Sequence, residues 1–177
     1  MRKLKLKELN RKGVEEFKKT DKTPMIVVLD NIRSGLNVGS AFRTSDAFAL
    51  EKVLLCGITA RPPHREILKT AIGATSSMEW EYFEKTTDAI AALKNEGYRV
   101  VAVEQAENST MLQDFTAAKK EKIALVFGNE VSGVSEEAME VVEECLEVPQ
   151  FGTKHSLNIS VCIGVVVWDL FKKVAGV

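Results

Sequence analysis

The sequence has few cysteines and histidines and contains no glycine-rich nucleotide fingerprint. Its three cysteines are widely separated, without the spacing of metal ligands or of a redox pair, so no metal site is predicted. His64 and His155 are far apart and lack an acidic partner at fixed spacing, which disfavours a histidine-based triad or a zinc site. Because neither G-x-G-x-x-G nor the P-loop pattern occurs, a nicotinamide-dependent oxidoreductase is disfavoured as well.

The sequence also lacks an apolar run of membrane length. Val161–Trp168 has no polar side chain over eight positions, but a membrane span needs about 20 apolar residues. We therefore expect this run to lie in the centre of the core of a soluble protein. The lysine-rich N-terminus has no apolar stretch typical of a secretory signal. Together with the unpaired cysteines, this predicts a cytoplasmic protein without a membrane partner.

Charge is nearly balanced overall but uneven along the chain. The net charge is -1 and the pI is near 6.2, a weak overall indication of nucleic-acid binding. Residues 1–23, however, carry nine Lys or Arg against four Asp or Glu. This basic N-terminal extension is either a solvated leader or an arm that contacts phosphates. Residues 24–177 are expected to form one domain.

Apolar runs alternate with helix-like stretches along the rest of the chain. Strands are predicted at Met25–Leu29, Lys52–Cys56, Met78–Phe83, Tyr98–Glu104, Ile123–Phe127 and Leu146–Val148. Helices are predicted at Asn37–Leu50, Thr86–Asn95, Ser135–Glu144 and Ser156–Val174, and a loop at Thr59–Arg65. This order predicts an α/β fold with a mainly parallel sheet flanked by helices. Ligands of such sheets bind beyond the carboxyl ends of the strands, which here are followed by loops 30–40, 128–135 and 149–158.

The first of these loops leads into a helix that carries Asn37 and Arg43. Arg43 follows Asn37 by six residues, about 9 Å along a helix axis. A helix N-terminus combined with a guanidinium makes a good anion site. The alternative is that Asn37 only caps the helix and that Arg43 is a surface charge.

The other two loops add an acid, a serine and an amide. Glu130 projects from a turn flanked by Gly128 and Gly133, which could equally be a tight connection that needs glycine for its backbone. Ser156 and Asn158 precede the final apolar helix, where a serine could serve only as a cap. Side chains of these types suit orientation and charge stabilisation better than strong acid–base catalysis.

The three motifs, in this order, resemble those of the TrmH/SpoU branch of the SPOUT RNA methyltransferases. The matching segments are Asn37–Phe48, Phe127–Gly133 and Val148–Ser160, and the likeness extends over roughly residues 24–172. Ala49 and Gln150 depart from the family, which usually has glycine and methionine there. The resemblance implies a SPOUT fold with a deep C-terminal trefoil knot, a rare topology, and a homodimer built across the knot.

The resemblance also implies a reaction and its residues. The expected reaction is transfer of a methyl group from S-adenosylmethionine to a ribose 2′-hydroxyl of RNA, with tRNA favoured over rRNA. The implied catalytic residues are Arg43, Asn37, Glu130, Ser156 and Asn158. The implied cofactor-binding residues are Val103, Gly128, Val148 and Leu157. The alternative is a non-catalytic RNA-binding module that retains the knotted fold.

By the same resemblance Arg43 lies at the attacking hydroxyl. Because guanidinium has a pKa above about 12, we expect it to hold an RNA phosphate and to stabilise charge on the 2′-oxygen. Asn37 and Ser156 would orient Arg43 or the ribose, Asn158 would fix its loop, and Glu130 would hold Arg43 or the loop around it. In a dimer, Arg43 of one subunit would complete the site of the other.

Overall fold

Seven parallel strands form one sheet, and helices cover both of its faces. The computed structural model describes the backbone of residues 1–177 and the side chains of residues 1–5 and 7–177. The strands are β1 (Thr23–Asp30), β2 (Leu50–Cys56), β3 (Glu79–Phe83), β4 (Arg99–Val103), β5 (Thr110–Met111), β6 (Ile123–Phe127) and β7 (Glu144–Glu147). They lie in the order β3-β2-β1-β6-β4-β7-β5, and all neighbours pair in parallel.

Seven α-helices follow a 3₁₀ turn at Leu6–Leu9. They are α1 (Val14–Lys19), α2 (Gly35–Ala47), α3 (Arg65–Ala71), α4 (Ala74–Ser77), α5 (Thr86–Asn95), α6 (Glu136–Val141) and α7 (Ile159–Ala175). Helices α2, α3 and α7 contribute to the core on one face of the sheet. Helices α5 and α6 contribute to the core on the other face.

The central strands β1 and β6 are buried on both faces. They pair in register from Met25 opposite Ile123 to Leu29 opposite Phe127, and none of these ten paired residues is more than 2% exposed. Apolar residues at consecutive positions are expected of a parallel strand with helices above and below it. The predicted α/β class with a mainly parallel sheet is confirmed.

Several predicted element boundaries need correction. The helix predicted at Ser135–Glu144 ends at Val141, and Glu144 instead begins β7. The final helix begins at Ile159 rather than Ser156. Helix α2 begins at Gly35, where the Ser34 side chain caps it by accepting a hydrogen bond from the Asn37 amide. Helix α3 was not predicted at all.

The prediction that Val161–Trp168 lies wholly in the core is wrong. Val161, Val165 and Trp168 lie on one side of α7 and are 52%, 39% and 48% exposed. Helix α7 buries its opposite side, which includes Ile163 and Val167, against the sheet. Within the described residues, no helix is long and apolar enough to cross a bilayer.

The basic N-terminal extension lies against the domain through one aromatic side chain. Phe17 in α1 packs against the core, and the Lys22 ammonium lies 3.2 Å from the centre of its ring. Burial lowers the pKa of Lys22. The extension joins the amino end of β1, so it approaches the sheet at the edge opposite the three predicted functional loops.

Candidate active site

A cavity of about 520 Å³ opens at the carboxyl ends of β4, β6 and β7. Parallel strands bring their following loops to the same edge of a sheet, which explains why segments distant in sequence meet here. Four of its lining residues are those predicted to bind a cofactor: Val103, Gly128, Val148 and Leu157. Three are predicted catalytic residues: Glu130, Ser156 and Asn158.

Glu130 connects the loop after β6 to the start of α2. Its carboxylate accepts hydrogen bonds from the backbone amides of Arg33 (3.1 Å) and Ser34 (3.2 Å) and from Asn37 Nδ2 (3.0 Å). Burial acts to raise the pKa of this carboxyl, but the hydrogen bonds outweigh it and hold the pKa below its usual range. Glu130 is therefore an anion that organises the loop before α2, and it forms no ion pair with Arg43.

Asn158 extends this set to the third motif. Its Nδ2 donates to Asn37 Oδ1 at 3.4 Å, while its Oδ1 accepts from the Ser160 amide at 2.9 Å and so caps α7. Asn158, rather than Ser156, is thus the capping residue of the last helix. Asn37, Glu130 and Asn158 form one hydrogen-bonded group beside the cavity. Ser156 lines the cavity and is exposed.

The loop after β6 is a narrow turn whose backbone requires its two glycines. Asn129 and Gly133 exchange backbone hydrogen bonds of 2.7 and 2.9 Å. Gly133 has a φ of +72°, and a Cβ on Gly128 would collide with the backbone of Gly133 and Val134. Glycine at both positions therefore lets this turn fold back on itself at the rim of the cavity.

Two acidic residues that the sequence did not single out hold this turn in place. Glu104, at the end of β4, accepts a hydrogen bond from the Val134 amide at 3.0 Å. Asp30, the fully buried last residue of β1, accepts from the Ser135 amide at 2.7 Å and from the Thr86 hydroxyl at 2.5 Å. The available signal was an acid directly after a run of apolar strand residues, where an unpaired charge is costly.

Arg43 does not join the group formed by Asn37, Glu130 and Asn158. It is exposed and lines a second cavity of about 560 Å³, whose other lining residues include Ser40, Thr44, Lys69, Thr70 and Gly164 of α7. Among the described side chains it forms no ion pair. The five predicted catalytic residues are therefore divided within one chain. Three line the first cavity, Asn37 is hydrogen-bonded to two of these, and Arg43 lines the second cavity.

The first cavity suits a small molecule with both apolar and cationic parts. Its volume lies within the usual range for such sites, about 300 to 1,000 Å³. The lining combines apolar side chains such as Val103 and Leu157 with two carboxylates, those of Glu104 and Glu130. Cys162 also lines it, but burial raises the pKa of this thiol to about 11, so it is protonated at neutral pH and a poor nucleophile.

A family model described as the SpoU rRNA methylase family matches residues 24–168. The Aquifex aeolicus tRNA (guanosine(18)-2′-O)-methyltransferase is 29% identical over 164 residues, which cover 89% of this chain and 74% of that protein. A Staphylococcus saprophyticus protein named for the TrmH family of tRNA/rRNA methyltransferases is 28% identical over 160 residues, with 90% of this chain and 63% of that protein covered.

Solved structures show the same fold. An AdoMet-bound rRNA methyltransferase from Sinorhizobium meliloti matches with a TM-score of 0.78 and 25% identity, covering 88% of this chain and 59% of that one. The Aquifex aeolicus TrmH/SpoU tRNA modifying enzyme matches with a TM-score of 0.79 and 23% identity, covering 90% and 80%. This chain thus spans only about three fifths of the Staphylococcus and Sinorhizobium proteins.

Proposed function

The chain belongs to the SpoU rRNA methylase family, and from that premise we propose that it transfers a methyl group from S-adenosylmethionine to a ribose 2′-hydroxyl of RNA. The observation that carries the proposal is the joining of Asn37, Glu130 and Asn158, one from each of three distant motifs, beside a cavity of cofactor size. A tRNA is the favoured substrate and rRNA the second, because the Aquifex relative is named for tRNA methylation.

The first cavity fits the cofactor by size and by chemistry. Apolar side chains of Val103, Val148 and Leu157 offer surface for a purine, and the Gly128 turn offers backbone groups. The carboxylates of Glu104 and Glu130 complement the positive charges of a sulfonium and an ammonium. S-adenosylmethionine bound there would supply an electrophilic methyl group. The AdoMet-bound Sinorhizobium relative supports this choice of cofactor.

Arg43 is proposed to hold an RNA phosphate and to stabilise the negative charge that develops on the 2′-oxygen. A guanidinium remains a cation at neutral pH, and a fixed cation is most effective where charge appears during the reaction. Asn37 and Ser156 are proposed to orient the ribose or Arg43, and Asn158 to fix its loop. Glu130 is proposed to act on Arg43 indirectly, because it fixes the residues that lead into α2.

The separation of Arg43 from the first cavity supports a homodimer in which each chain completes the site of its partner. Val161, Val165 and Trp168 form the exposed apolar stripe of α7, and Gly164 of the same helix lines the Arg43 cavity. An exposed apolar stripe of this kind is typical of a protein interface. A second copy docked on it would stand beside Arg43, and two-fold symmetry would bury both stripes at once.

The remaining family features are proposed on the same premise. A deep C-terminal trefoil knot is consistent with β4 lying between β6 and β7 and with the contacts of α7 to α2 and β1. Residues 24–177 would be the catalytic domain and residues 1–23 an extension docked through Phe17. Three free cysteines fit a cytoplasmic location.

Replacing the guanidinium tests the proposed reaction. We expect Arg43→Ala to lower methyl transfer to unmodified tRNA transcripts by at least about 100-fold, while calorimetry finds nearly the same affinity for S-adenosylmethionine. Transfer is measured with tritiated cofactor, with rRNA fragments as a second substrate arm. Lys119→Ala, an exposed cation at the opposite edge of the sheet, is the matched control. Unchanged turnover in Arg43→Ala would contradict the role of Arg43, and a wild-type protein that binds RNA without transfer would favour the non-catalytic module.

A further inference from the structure

Three cations in and just before α3 have no role in the proposed reaction, and one of them, Lys69, lines the Arg43 cavity. Arg65 and Lys69 lie four residues apart in α3, hence on the same side of the helix, and Arg61 lies in the loop before it. We call Arg61, Arg65 and Lys69 the α3 track. All three are exposed, and within the described side chains none forms an ion pair. Arg61 instead stacks over the Tyr82 ring at 4.2 Å.

The packing of α2 on α3 places Lys69, one end of the α3 track, beside Arg43. A Cβ on Gly39 would collide with the Thr70 side chain and the Ile67 carbonyl, so only glycine lets the two helices approach this closely. The Thr70 hydroxyl donates to the Leu36 carbonyl at 2.8 Å and holds the helices together. As a result Lys69 and Arg43, from different helices, line the same cavity.

The acids nearby do not neutralise this surface. Glu66 is the only acidic residue of α3, and its side chain lies against Gly35 at the start of α2. Thr44 also lines the Arg43 cavity, and its hydroxyl can donate a hydrogen bond to a phosphate oxygen. The surface therefore offers cations and a hydroxyl donor and no carboxylate partner for either Arg65 or Lys69.

We propose that the α3 track binds the sugar-phosphate backbone of the nucleotides adjacent to the one that is methylated. The two helical cations follow the α3 axis rather than surround a pocket: Arg65 and Lys69 are about 6 Å apart along it, and Arg61 lies in the loop that precedes the helix. A line of cations suits a polyanion better than a single phosphate. Because the line ends at Arg43, a strand bound along it would enter the Arg43 cavity. The inference rests on the proposed function and names the path of its RNA substrate.

The salt dependence of RNA binding tests the track. We compare the wild type with the double variant Arg65→Gln and Lys69→Gln, using a fluorescein-labelled, unmodified tRNA transcript in anisotropy titrations from 50 to 200 mM salt. Each lost phosphate contact should lower the slope of log K against log salt by roughly 0.7 to 0.9, so the double variant should lose about twice that. The matched control is Lys119→Gln with Lys120→Gln, which removes the same charge from the opposite edge and should keep the wild-type slope.

The outcomes separate the track from the proposed function. Calorimetry with S-adenosylmethionine shows whether each variant is folded. Arg61→Gln, outside the helix, provides a second test, because it removes one cation and should show half the change in slope expected of the double variant. An unchanged slope in both variants, with wild-type RNA binding and methylation intact, would overturn the track alone. An equal loss of slope in the control would also overturn it. Absence of RNA binding by the wild type would overturn the track and the proposed function together.

Discussion

Glu130 shows how a single side chain can determine the geometry of a site without lying at its reactive centre. Its carboxylate accepts hydrogen bonds from two backbone amides and from the Asn37 side chain. Hydrogen bonds to a charged acceptor are stronger than neutral ones, and these hydrogen bonds join segments almost a hundred residues apart in sequence. The relative placement of the loop after β6 and the start of α2 is therefore fixed by one carboxylate rather than by continuous secondary structure.

This dependence on charge predicts a dependence on pH. Hydrogen bonds hold the pKa of Glu130 in the folded state below its usual range. Its contribution to stability is therefore fully present above the pKa of an unfolded glutamate, about 4.3, and is lost as the pH falls through the folded-state pKa. We expect Glu130→Gln to be less stable than the wild type by a constant amount between pH 8 and 5, and the difference to shrink in more acidic solution. Urea unfolding measures it, with exposed Glu137→Gln as the control. A difference that grows towards acid pH would contradict the assignment.

Asp30 has a similar role but is buried. Removing its carboxylate leaves the Ser135 amide and the Thr86 hydroxyl without their partner, and unsatisfied buried donors cost about 1 to 3 kcal/mol each. We expect Asp30→Ala to lower the free energy of unfolding by about 2 to 4 kcal/mol. Asp30→Asn, which keeps an acceptor, should lose less. Denaturant titration compares the two, and a loss below about 0.5 kcal/mol in the alanine variant would refute the role.

At the residue scale, the sequence predicts which residues lie at the candidate site better than it predicts their hydrogen-bond partners. Six residues along a helix turn Arg43 about 120° away from Asn37, so their separation follows from spacing alone. The partners of Asp30 and Glu104 do not, because the amides they bind lie 105 and 30 residues further along the chain. No local pattern encodes such contacts.

Helix α7 illustrates the same point at the scale of an element. A run of eight apolar residues makes more than two turns and so covers every side of a helix, whereas a sheet buries only one side. The sequence correctly indicated that water could not cover the whole run, and the error was to assign all of it to one core. The exposed stripe, together with the contacts of the Trp168 ring, tilted against Phe48 and stacked on Phe171, defines a second apolar surface.

A charge placed in the exposed apolar stripe of α7 tests the proposed homodimer. Val165 is 39% exposed, and a carboxylate there would have to be buried without a partner in a symmetric interface. We expect Val165→Glu to sediment as a monomer and to lose methyl transfer by at least about tenfold, because Arg43 then cannot reach the other chain. Val141→Glu, at 38% exposure on α6, is the matched control and should remain dimeric. A Val165→Glu protein that stays a dimer would show that the interface lies elsewhere.

Helices and strands were predictable where the local preference of the sequence agrees with the packing of the folded chain. Thr86–Asn95 and Ile123–Phe127 have the bounds that the sequence indicated. The helix predicted to run to Glu144 is cut short because Glu144–Leu146 pair with Val101–Val103 of β4. Long-range strand pairing overrides helix preference there, and no local signal marks the change.

For the whole molecule, the apolar strands predicted a parallel sheet but not the order of its strands. Neighbours such as β1 and β6 are separated by more than ninety residues, and no local pattern in the sequence encodes their pairing. Net charge was equally uninformative. A molecule with a charge of -1 still carries the α3 track and a basic extension at different edges, so the local distribution of charge decides what it attracts.

The central position of β1 has a consequence for synthesis. Its first neighbour, β2, is complete at residue 56, but its second, β6, is complete only at residue 127. During that interval the nascent chain holds one of its most apolar strands with an open hydrogen-bonding edge, the kind of edge on which chains aggregate. Translational arrest between these points would therefore leave an intermediate with an unpaired strand edge, which is prone to aggregate. The rate of elongation across the middle third of the mRNA sets how long this edge stays open.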